Sequence, residues 1–382
     1  MNFFLENTSN ILPPQARNIE KLRYKLLSFF QKFGYIMITP SLFKYINFFF
    51  FKKKIKENIN YNLYKKLKKF SNFFLKIKKK KIFEIFKIAT YLLKKNSIIK
   101  ICYINNILYT TKTLNTYIKK EFNEIGIGIY GKNNLKFDIE IQELALLILK
   151  KIGILNIKVS LCHTEILKSI IKKDLMAKKQ ENYLSYLLFT KNIFKLKILT
   201  KNFLPEVKKN LLKVPYLYGN INILKKAKKI FLFFPKIIKA LEELENLIKL
   251  IKNKNYIIDL SDFNNYYMYN GIIFNIYHLN YSNSIIEGGR YNFFTKFYKR
   301  IKSTVGFTIN LKRILNLIFK KKKKKAIYAP WCNNLLLKKK ILKLRNIGEI
   351  VIQNISHINK YYEYKFNRII KFKKGFWDIL YF

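Results

Sequence analysis

Lysine interrupts every apolar run in this 382-residue chain, and this spacing is the feature that most limits its possible folds. No window reaches the roughly 18 uninterrupted apolar residues that a membrane-spanning helix needs. Half of the residues are nevertheless apolar and 16% are aromatic. That content excludes a disordered polycation and is enough for a sizeable core. The length predicts two or three domains, at about 150 residues each.

The positive charge favours an interpretation other than binding to an anion. The chain carries 76 Lys and Arg against 22 Asp and Glu, a formal net charge of +54, which would ordinarily suggest nucleic acid or an anionic membrane surface. Only seven of the basic residues are arginine, the side chain that phosphate and base recognition usually enriches. Lys, Asn, Ile, Phe and Tyr, which have A/T-rich codons, are all frequent. We therefore interpret the charge mainly as mutational drift in an A+T-rich genome, and a basic nucleic-acid-binding protein stays an alternative.

Local signals predict an alternation of helices and short strands. Pro13-Pro14 introduces an amphipathic helix over 15–33, which Gly34 ends before a short strand over 35–40. The lysine-dense stretch 50–81 is predicted to be exposed and poorly specified. The remaining predictions are strands at 99–109 and 125–130 around a polar loop, a helix capped by Asp138 that runs to Lys151 and stops at Gly153, a strand at 157–161, mostly helices over 164–255 with a clear one at 235–252, strands at 256–259 and 271–277, a tight turn at Gly288-Gly289, and a strand that becomes a helix over 305–319.

The last part of the chain is predicted to form a small α/β unit. The six consecutive lysines of 320–325 form the longest block of like charge and are predicted to be a linker. Beyond it we expect a strand at 326–331, a helix at 334–346 that Gly348 closes, and strands at 349–355, 368–372 and 377–382.

Motifs with a defined chemistry are scarce. There is no Walker loop, G-x-G-x-x-G or G-x-S-x-G. Cys162 and His163 are adjacent in a predicted strand, so they point to opposite faces and cannot easily share a metal; no metal site and no cofactor are predicted. The three cysteines are few and far apart, which does not fit a disulfide framework, and the start of the chain lacks the pattern of a secretory signal, so we expect a cytoplasmic protein. The most distinctive polar cluster is Gly288-Gly289-Arg290-Tyr291, in which the arginine would face an anion or a carboxylate, with a purely structural turn as the alternative.

These pieces, in their order and spacing, resemble the class II aminoacyl-tRNA synthetase core of the histidyl type. They resemble more closely its non-aminoacylating paralogue, the family of ATP phosphoribosyltransferase regulatory subunits. The resemblance rests on Leu12-Pro13-Pro14-x-Ala16 through Arg23, Gly34-Tyr35 through Thr39-Pro40-Ser41-Leu42, Ile125-Gly126-x-Gly128 through Gly131, Asp138 through Leu144, Leu161-Cys162-His163, Gly288-Gly289-Arg290-Tyr291, Val305-Gly306-Phe307, Ala329-Pro330-Trp331, Leu344-Arg345 through Gln353, and Gly375-Phe376-Trp377.

The resemblance implies an α+β fold: an antiparallel sheet with flanking helices over 1–319, interrupted by a helical insertion at about 165–255, followed by a small C-terminal α/β domain over 326–382. It places Pro40 in the motif that forms the dimer interface of class II synthetases, and so implies a self-dimer.

The chain departs from a working synthetase at the positions that the resemblance assigns to ATP and histidine. Adenylation needs a cation on the α-phosphate, where negative charge develops. The resemblance puts the ATP-binding arginine on Tyr109, its acidic partner on Thr111 and a second arginine on Asn264. The glutamate expected after the second motif is Gly128, and the loop that holds the substrate's amino group falls near 80–82, where it is not recognisable.

In the third motif, Arg313 matches the family's arginine, but the glutamate before it is Lys312. Each lost charge removes several kcal/mol of transition-state stabilisation, since one oxyanion-type donor is worth roughly 3–4 kcal/mol. Aminoacylation is therefore not expected, although a highly diverged histidyl-tRNA synthetase stays an alternative.

The resemblance thus implies a non-catalytic subunit. It would join a short catalytic subunit that links ATP to phosphoribosyl pyrophosphate, the first step of histidine biosynthesis, activate it, and in the family transmit feedback by histidine. The candidate residues for a histidine effector pocket are Glu124, Tyr266, Tyr267 and Arg290. Because Gly128 and the 80–82 loop leave few groups for the histidine ammonium, we hypothesise that histidine binding is weak or lost while activation persists.

Overall fold

The computed structural model of the chain describes residues 11, 13–40, 85–86, 88–93, 98–112, 117–131, 134–251, 255–264, 266–291, 303–318, 324–354, 364–373 and 375–381. The predictions for residues 50–81 and most of the lysine block at 320–325 lie outside these ranges. The chain divides into two compact units, one formed by Met1–Ser9 with Arg23–Ile318 and the other by Asn10–Leu22 with Phe319–Phe382.

A nine-stranded sheet forms the centre of the first unit, with the strand order β1-β2-β3-β9-β8-β7-β4-β6-β5. The β1/β2 and β4/β6 pairs are parallel and the others are antiparallel. The strands are β1 Ile36–Ile38, β2 Ile99–Lys112, β3 Tyr117–Gly131, β4 Ile157–His163, β5 Tyr218–Gly219, β6 Tyr256–Asp259, β7 Ile272–His278, β8 Ile286–Tyr291 and β9 Ser303–Asn310.

The stretch 164–255, which was predicted to be mostly helical, is mostly helical. The helices are α1 Gln15–Gln31, α2 Leu135–Lys151, α3 Glu165–Ile170, α4 Leu175–Lys179, α5 Glu181–Phe189, α6 Ile193–Leu199, α7 Pro205–Lys213, α8 Asn222–Ile230, α9 Pro235–Ile251 and α10 Leu311–Ile318. Residues 85–86 and 88–92 are also helical. In α9 the buried side chains Ile237, Ala240, Leu241, Leu244 and Leu247 recur at the spacing of one helix face.

The prediction that Asp138 caps α2 is wrong. The N-cap is Asn134, whose side chain accepts a hydrogen bond from the Lys136 amide. Asp138 lies inside the first turn, is buried, and has a partner elsewhere in the fold. The predicted stop at Gly153 is confirmed, because its φ of 82° is a left-handed conformation that favours glycine.

The tight turn predicted at Gly288-Gly289 is also wrong, because both glycines lie within strand β8. A β-carbon on Gly288 would lie 2.5 Å from Cε1 of Phe274, and one on Gly289 would lie 2.5 Å from the carbonyl oxygen of Ile272. Close approach of a ring and a neighbouring backbone therefore requires glycine here, not a change of chain direction.

The β2/β3 hairpin is longer than predicted. β2 continues to Lys112 and β3 begins at Tyr117, so most of the polar stretch expected to be a loop pairs as strand. Threonine, which occurs at positions 110 and 111, is a β-branched residue that is frequent in strands. The prediction of a loop rested only on the polarity of this stretch.

The second unit contains a four-stranded sheet with the order β11-β10-β12-β13. Its elements are β10 Lys324–Pro330, α11 Leu335–Asn346, β11 Val351–Asn354, β12 Tyr364–Lys373 and β13 Phe376–Tyr381. Strand β10 is parallel to β11 and β12, while β12 and β13 are antiparallel. Helix α11 packs its buried Leu337, Ile341 and Leu344 onto Ile327 and Ile370.

Candidate functional site

The two faces of the central sheet differ in character. Residues that are directly paired on neighbouring strands share a face of the sheet. Gly126 is paired with Thr308, Thr308 with Glu287, and Glu287 with Asn275, so these four residues lie on one face. Glu124 pairs with Asn310 on the same face. We call this side the polar face and define it by Glu124, Thr308, Glu287, Asn275 and Ser160.

Arg290 lies on the opposite face, because it pairs with Val305 while its neighbour Gly289 pairs with Gly306. There its Nη2 donates to Oδ2 of Asp138 in α2 at 2.5 Å, and its Nη1 lies 3.5 Å from Oε2 of Glu243 in α9. The Arg290 and Asp138 side chains are only 8% and 1% exposed. Burial raises the pKa of the Asp138 carboxyl, and the guanidinium of Arg290 acts in the opposite direction.

This geometry answers one question left open by the sequence, because the carboxylate that Arg290 faces is the protein's own. The structure does not bring Arg290 together with Glu124, which is buried on the polar face.

Tyr266 is directed towards the helical insertion. Its hydroxyl donates to Oε1 of Glu181 in α5 at 2.6 Å. Burial and this carboxylate together raise the pKa of Tyr266. The neighbouring Tyr267 lies in the same single-turn 3-10 helix, and its side chain lies outside the described residues.

Pro40 follows edge strand β1 and is buried. Two side chains of that strand, Ile36 and Met37, are 44% and 54% exposed. The side chains of Tyr109 and Thr111 and the loop at 80–82 lie outside the described residues.

A small cavity opens on the polar face, and its described lining includes none of the histidine-pocket candidates Glu124, Tyr266 and Arg290. Its volume is about 20 Å³, which holds about one water molecule. We call it the aromatic pocket, and it is lined by Ile85, Phe86, Tyr103, Ile127, Tyr130, Met268, Tyr269, Tyr291 and Thr308.

Arg313, the arginine of the third motif, is held by neighbouring groups. Its Nη1 donates to the carbonyl oxygen of Ser284 and lies 3.8 Å from Oε1 of Glu287. Its backbone amide donates a hydrogen bond to Oδ1 of Asn310 at 3.1 Å. The guanidinium is therefore bound to the polar face itself.

The polar face also carries a buried polar cluster that the sequence did not predict. Asp262 is 5% exposed, accepts a hydrogen bond from Nδ2 of Asn275 at 3.0 Å, and accepts another from the hydroxyl of Tyr277 at 3.2 Å. Burial raises the pKa of Asp262. The sequence offered one usable signal, a polar residue at alternate positions 275 and 277 of a strand.

Metal binding has no support in the described parts of the chain, where no group of three His, Cys, Asp or Glu side chains could hold an ion. Cys162 is buried as a free thiol, and Nδ1 of His163 accepts a hydrogen bond from the Glu165 amide. No helix in the described ranges is long and apolar enough to cross a membrane.

Comparison with known proteins gives consistent matches along the whole chain. A family model described as histidyl-tRNA synthetase matches residues 7–314. A second, described as the C-terminal domain of the ATP phosphoribosyltransferase subunit HisZ, matches residues 324–380. A protein from Janthinobacterium sp. (strain Marseille), named ATP phosphoribosyltransferase regulatory subunit, is 32% identical over 98% of this chain and 97% of its own length.

Two solved structures show the fold. One is that of an ATP phosphoribosyltransferase regulatory subunit/histidyl-tRNA synthetase from Bacillus halodurans, with a TM-score of 0.68, 15% identity, and coverage of 97% of this chain and 98% of that one. The other is the ATP phosphoribosyl transferase (HisG:HisZ) complex from Thermotoga maritima, with a TM-score of 0.51, 18% identity, and coverage of 77% and 97%. The predicted class II synthetase-like fold is confirmed, with the refinement that the sheet is mixed.

Proposed function

This chain belongs to the family of ATP phosphoribosyltransferase regulatory subunits, and we propose that it assembles with a short catalytic subunit of that enzyme and activates it. The partner would join ATP to phosphoribosyl pyrophosphate, the first step of histidine biosynthesis, in the cytoplasm. The match of residues 324–380 to the HisZ C-terminal domain supports this assignment, as does the complex in which the Thermotoga maritima relative occurs.

The observation that carries a regulatory function is the loss of the cations that adenylation needs at the α-phosphate of ATP, where negative charge develops. The resemblance places the ATP-binding arginine on Tyr109 and a second arginine on Asn264. Arg313, the arginine of the third motif, is engaged by the protein itself, because it donates to the carbonyl oxygen of Ser284 and lies near Glu287. These departures support a subunit that acts through its catalytic partner.

Activation is a coupling free energy between two subunits. Such couplings are typically about 1–3 kcal/mol, or about 5- to 150-fold in the affected equilibrium. We also propose that histidine binding by this subunit is weak or lost, because the candidates Glu124 and Arg290 lie on opposite faces of the sheet. The aromatic pocket offers no substitute site, since its volume of about 20 Å³ holds about one water molecule and not an amino acid.

The resemblance further suggests a self-dimer around Pro40 and a small C-terminal α/β domain over 326–382, and both stay proposals. The exposed Ile36 and Met37 on edge strand β1 support the first. The C-terminal cluster around Ile327 and Leu337 supports the second.

Co-expression with the short catalytic subunit of the same organism tests the function. We expect the two chains to co-elute, and we expect the rate of joining ATP to phosphoribosyl pyrophosphate to rise about 5-fold or more when this chain is added. Independent elution, or an unchanged rate, would contradict the proposal.

Two further measurements separate the alternatives. Histidine-dependent exchange of pyrophosphate into ATP by the purified chain would identify a diverged synthetase instead. Calorimetry of the complex with histidine tests the feedback proposal, and micromolar binding would refute it.

A further inference from the structure

Two glycines of strand β3 leave the polar face without side chains where two tyrosine rings lie. A β-carbon on Gly126 would approach the ring of Tyr103 to 2.6 Å at Cε2. One on Gly128 would lie 3.0 Å from Cε2 of Tyr130. Real β-carbons do not approach another heavy atom as closely as the one at position 126 would, so any larger residue there would have to displace the Tyr103 ring.

The position of the Tyr103 ring follows from the strand register. Tyr103 on β2 is the direct partner of Gly126 on β3, so its side chain leaves the sheet beside the bare backbone and lies across it. Tyr103 as a whole residue is 7% exposed. The ring therefore fills a slot that glycine creates, and it is one wall of the aromatic pocket.

The other walls are fixed by contacts of their own. The Tyr291 hydroxyl donates to the carbonyl oxygen of Gly306 at 3.2 Å, and its ring stacks on Tyr269 with centroids 5.1 Å apart. Tyr130 meets Phe86 edge to face, with ring centroids 5.4 Å apart. Removal of Tyr103 leaves these contacts in place, so the space that it vacates should keep its shape.

We propose that Tyr103 is an internal ligand of this pocket, and that the slot it fills is a binding site for a phenol ring. The inference deepens the proposed function: it rests on the proposal that histidine binding is weak or lost, and it names the side chain that fills the slot beside the aromatic pocket. When the ring is removed, a free phenol of the same shape should take its place.

The test uses the purified full chain with phenol, the part of the tyrosine side chain that alanine lacks, as the probe. We expect Tyr103→Ala to bind it with a dissociation constant of about 1 mM or tighter, which is within reach of a molecule of about seven non-hydrogen atoms. The unaltered chain and Tyr103→Phe, which keeps the ring, should not bind it. Tyr91→Ala controls for loss of a tyrosine, because Tyr91 is 87% exposed.

Calorimetry and a thermal-unfolding series with the probe give two independent readings. If Tyr103→Ala is unfolded at the assay temperature, the probe should refold it, since a ligand at ten times its dissociation constant raises the ratio of folded to unfolded chain about 11-fold. A folded variant that does not bind, an unfolded variant that is not rescued, or equal binding by the unaltered chain would each overturn the proposal. None of these readings involves the catalytic partner, so the failure of activation would be recognised separately.

Discussion

Replacement of Arg290 by leucine should strongly destabilise the first unit. The change leaves the Asp138 carboxylate charged and without its cation at a site where its side chain is 1% exposed. Removing one partner of a buried ion pair costs about 3–5 kcal/mol, because the remaining charge stays desolvated. Glu243 contributes less, since its side chain is 33% exposed and can turn to water. We therefore expect the free energy of unfolding to fall by about 3–5 kcal/mol at pH 8.

The loss should shrink as the pH falls. Burial raises the pKa of Asp138, and loss of the Arg290 cation raises it further, because the charged form then has no counterion. A carboxyl whose folded pKa lies above its unfolded value of about 3.9 stabilises the folded state as it takes up a proton. Between pH 8 and about pH 4 the stability of Arg290→Leu should thus recover relative to the unaltered chain.

Urea unfolding of the full chain at pH 8 and pH 5, followed by far-ultraviolet circular dichroism, measures both effects. The double variant Arg290→Leu, Asp138→Asn removes the unpaired carboxylate as well, so it should recover most of the lost unfolding free energy. Lys249→Gln is the matched control, since Lys249 pairs with Glu245 while 63% exposed, and it should change stability by less than about 1 kcal/mol. A loss below about 1 kcal/mol for Arg290→Leu at pH 8, or no recovery in the double variant, would refute this reasoning.

Three further results are expected. Gly306→Ala should lower the unfolding free energy in the same urea assay by about 3 kcal/mol, because its β-carbon would meet the carbonyl oxygen of Ile127; an unchanged midpoint would contradict the strand spacing. Two lysines lower the pKa of Glu245 to about 2, so its small contribution is present above the unfolded value near pH 4.3 and is lost as the pH falls towards 2; the stability of Glu245→Gln should accordingly converge on that of the unaltered chain in acid. Arg368→Lys should destabilise the second unit by about 1 kcal/mol, because Arg368 donates to both oxygens of Glu349 at 2.7 Å, which lysine cannot reproduce; equal urea midpoints would show that the fork geometry is not needed.

Most of the secondary structure was predictable because its signals are local. Gly34 and Gly153 end helices with φ values of 78° and 82°, and the apolar spacing of α9 needs no knowledge of the rest of the chain. Two of the errors concern a glycine or an aspartate whose structural partner is distant in the sequence. Gly288 is required by the ring of Phe274, and nothing near Gly288 in sequence indicates that ring.

The candidate site was predictable only in part for the same reason. The sequence singled out Arg290 and indicated an anion or a carboxylate as its partner, but Asp138 lies 152 positions away. Tyr103 could not be predicted as a pocket residue, because its position depends on the register that sets it opposite Gly126. Tyr266, a candidate chosen by resemblance alone, is directed by its contact with Glu181, which lies 85 positions away in the sequence.

The composition of the second unit has a consequence for the order in which this protein folds. Its members are Asn10–Leu22 and Phe319–Phe382, and Arg17 donates to the Tyr364 hydroxyl across 347 positions of sequence. During synthesis at about 5–20 residues per second, the first half of α1 leaves the ribosome well before its partners exist. Residues 15–22 must therefore wait for strands β10 to β13, and the second unit can close only after those strands have been synthesised.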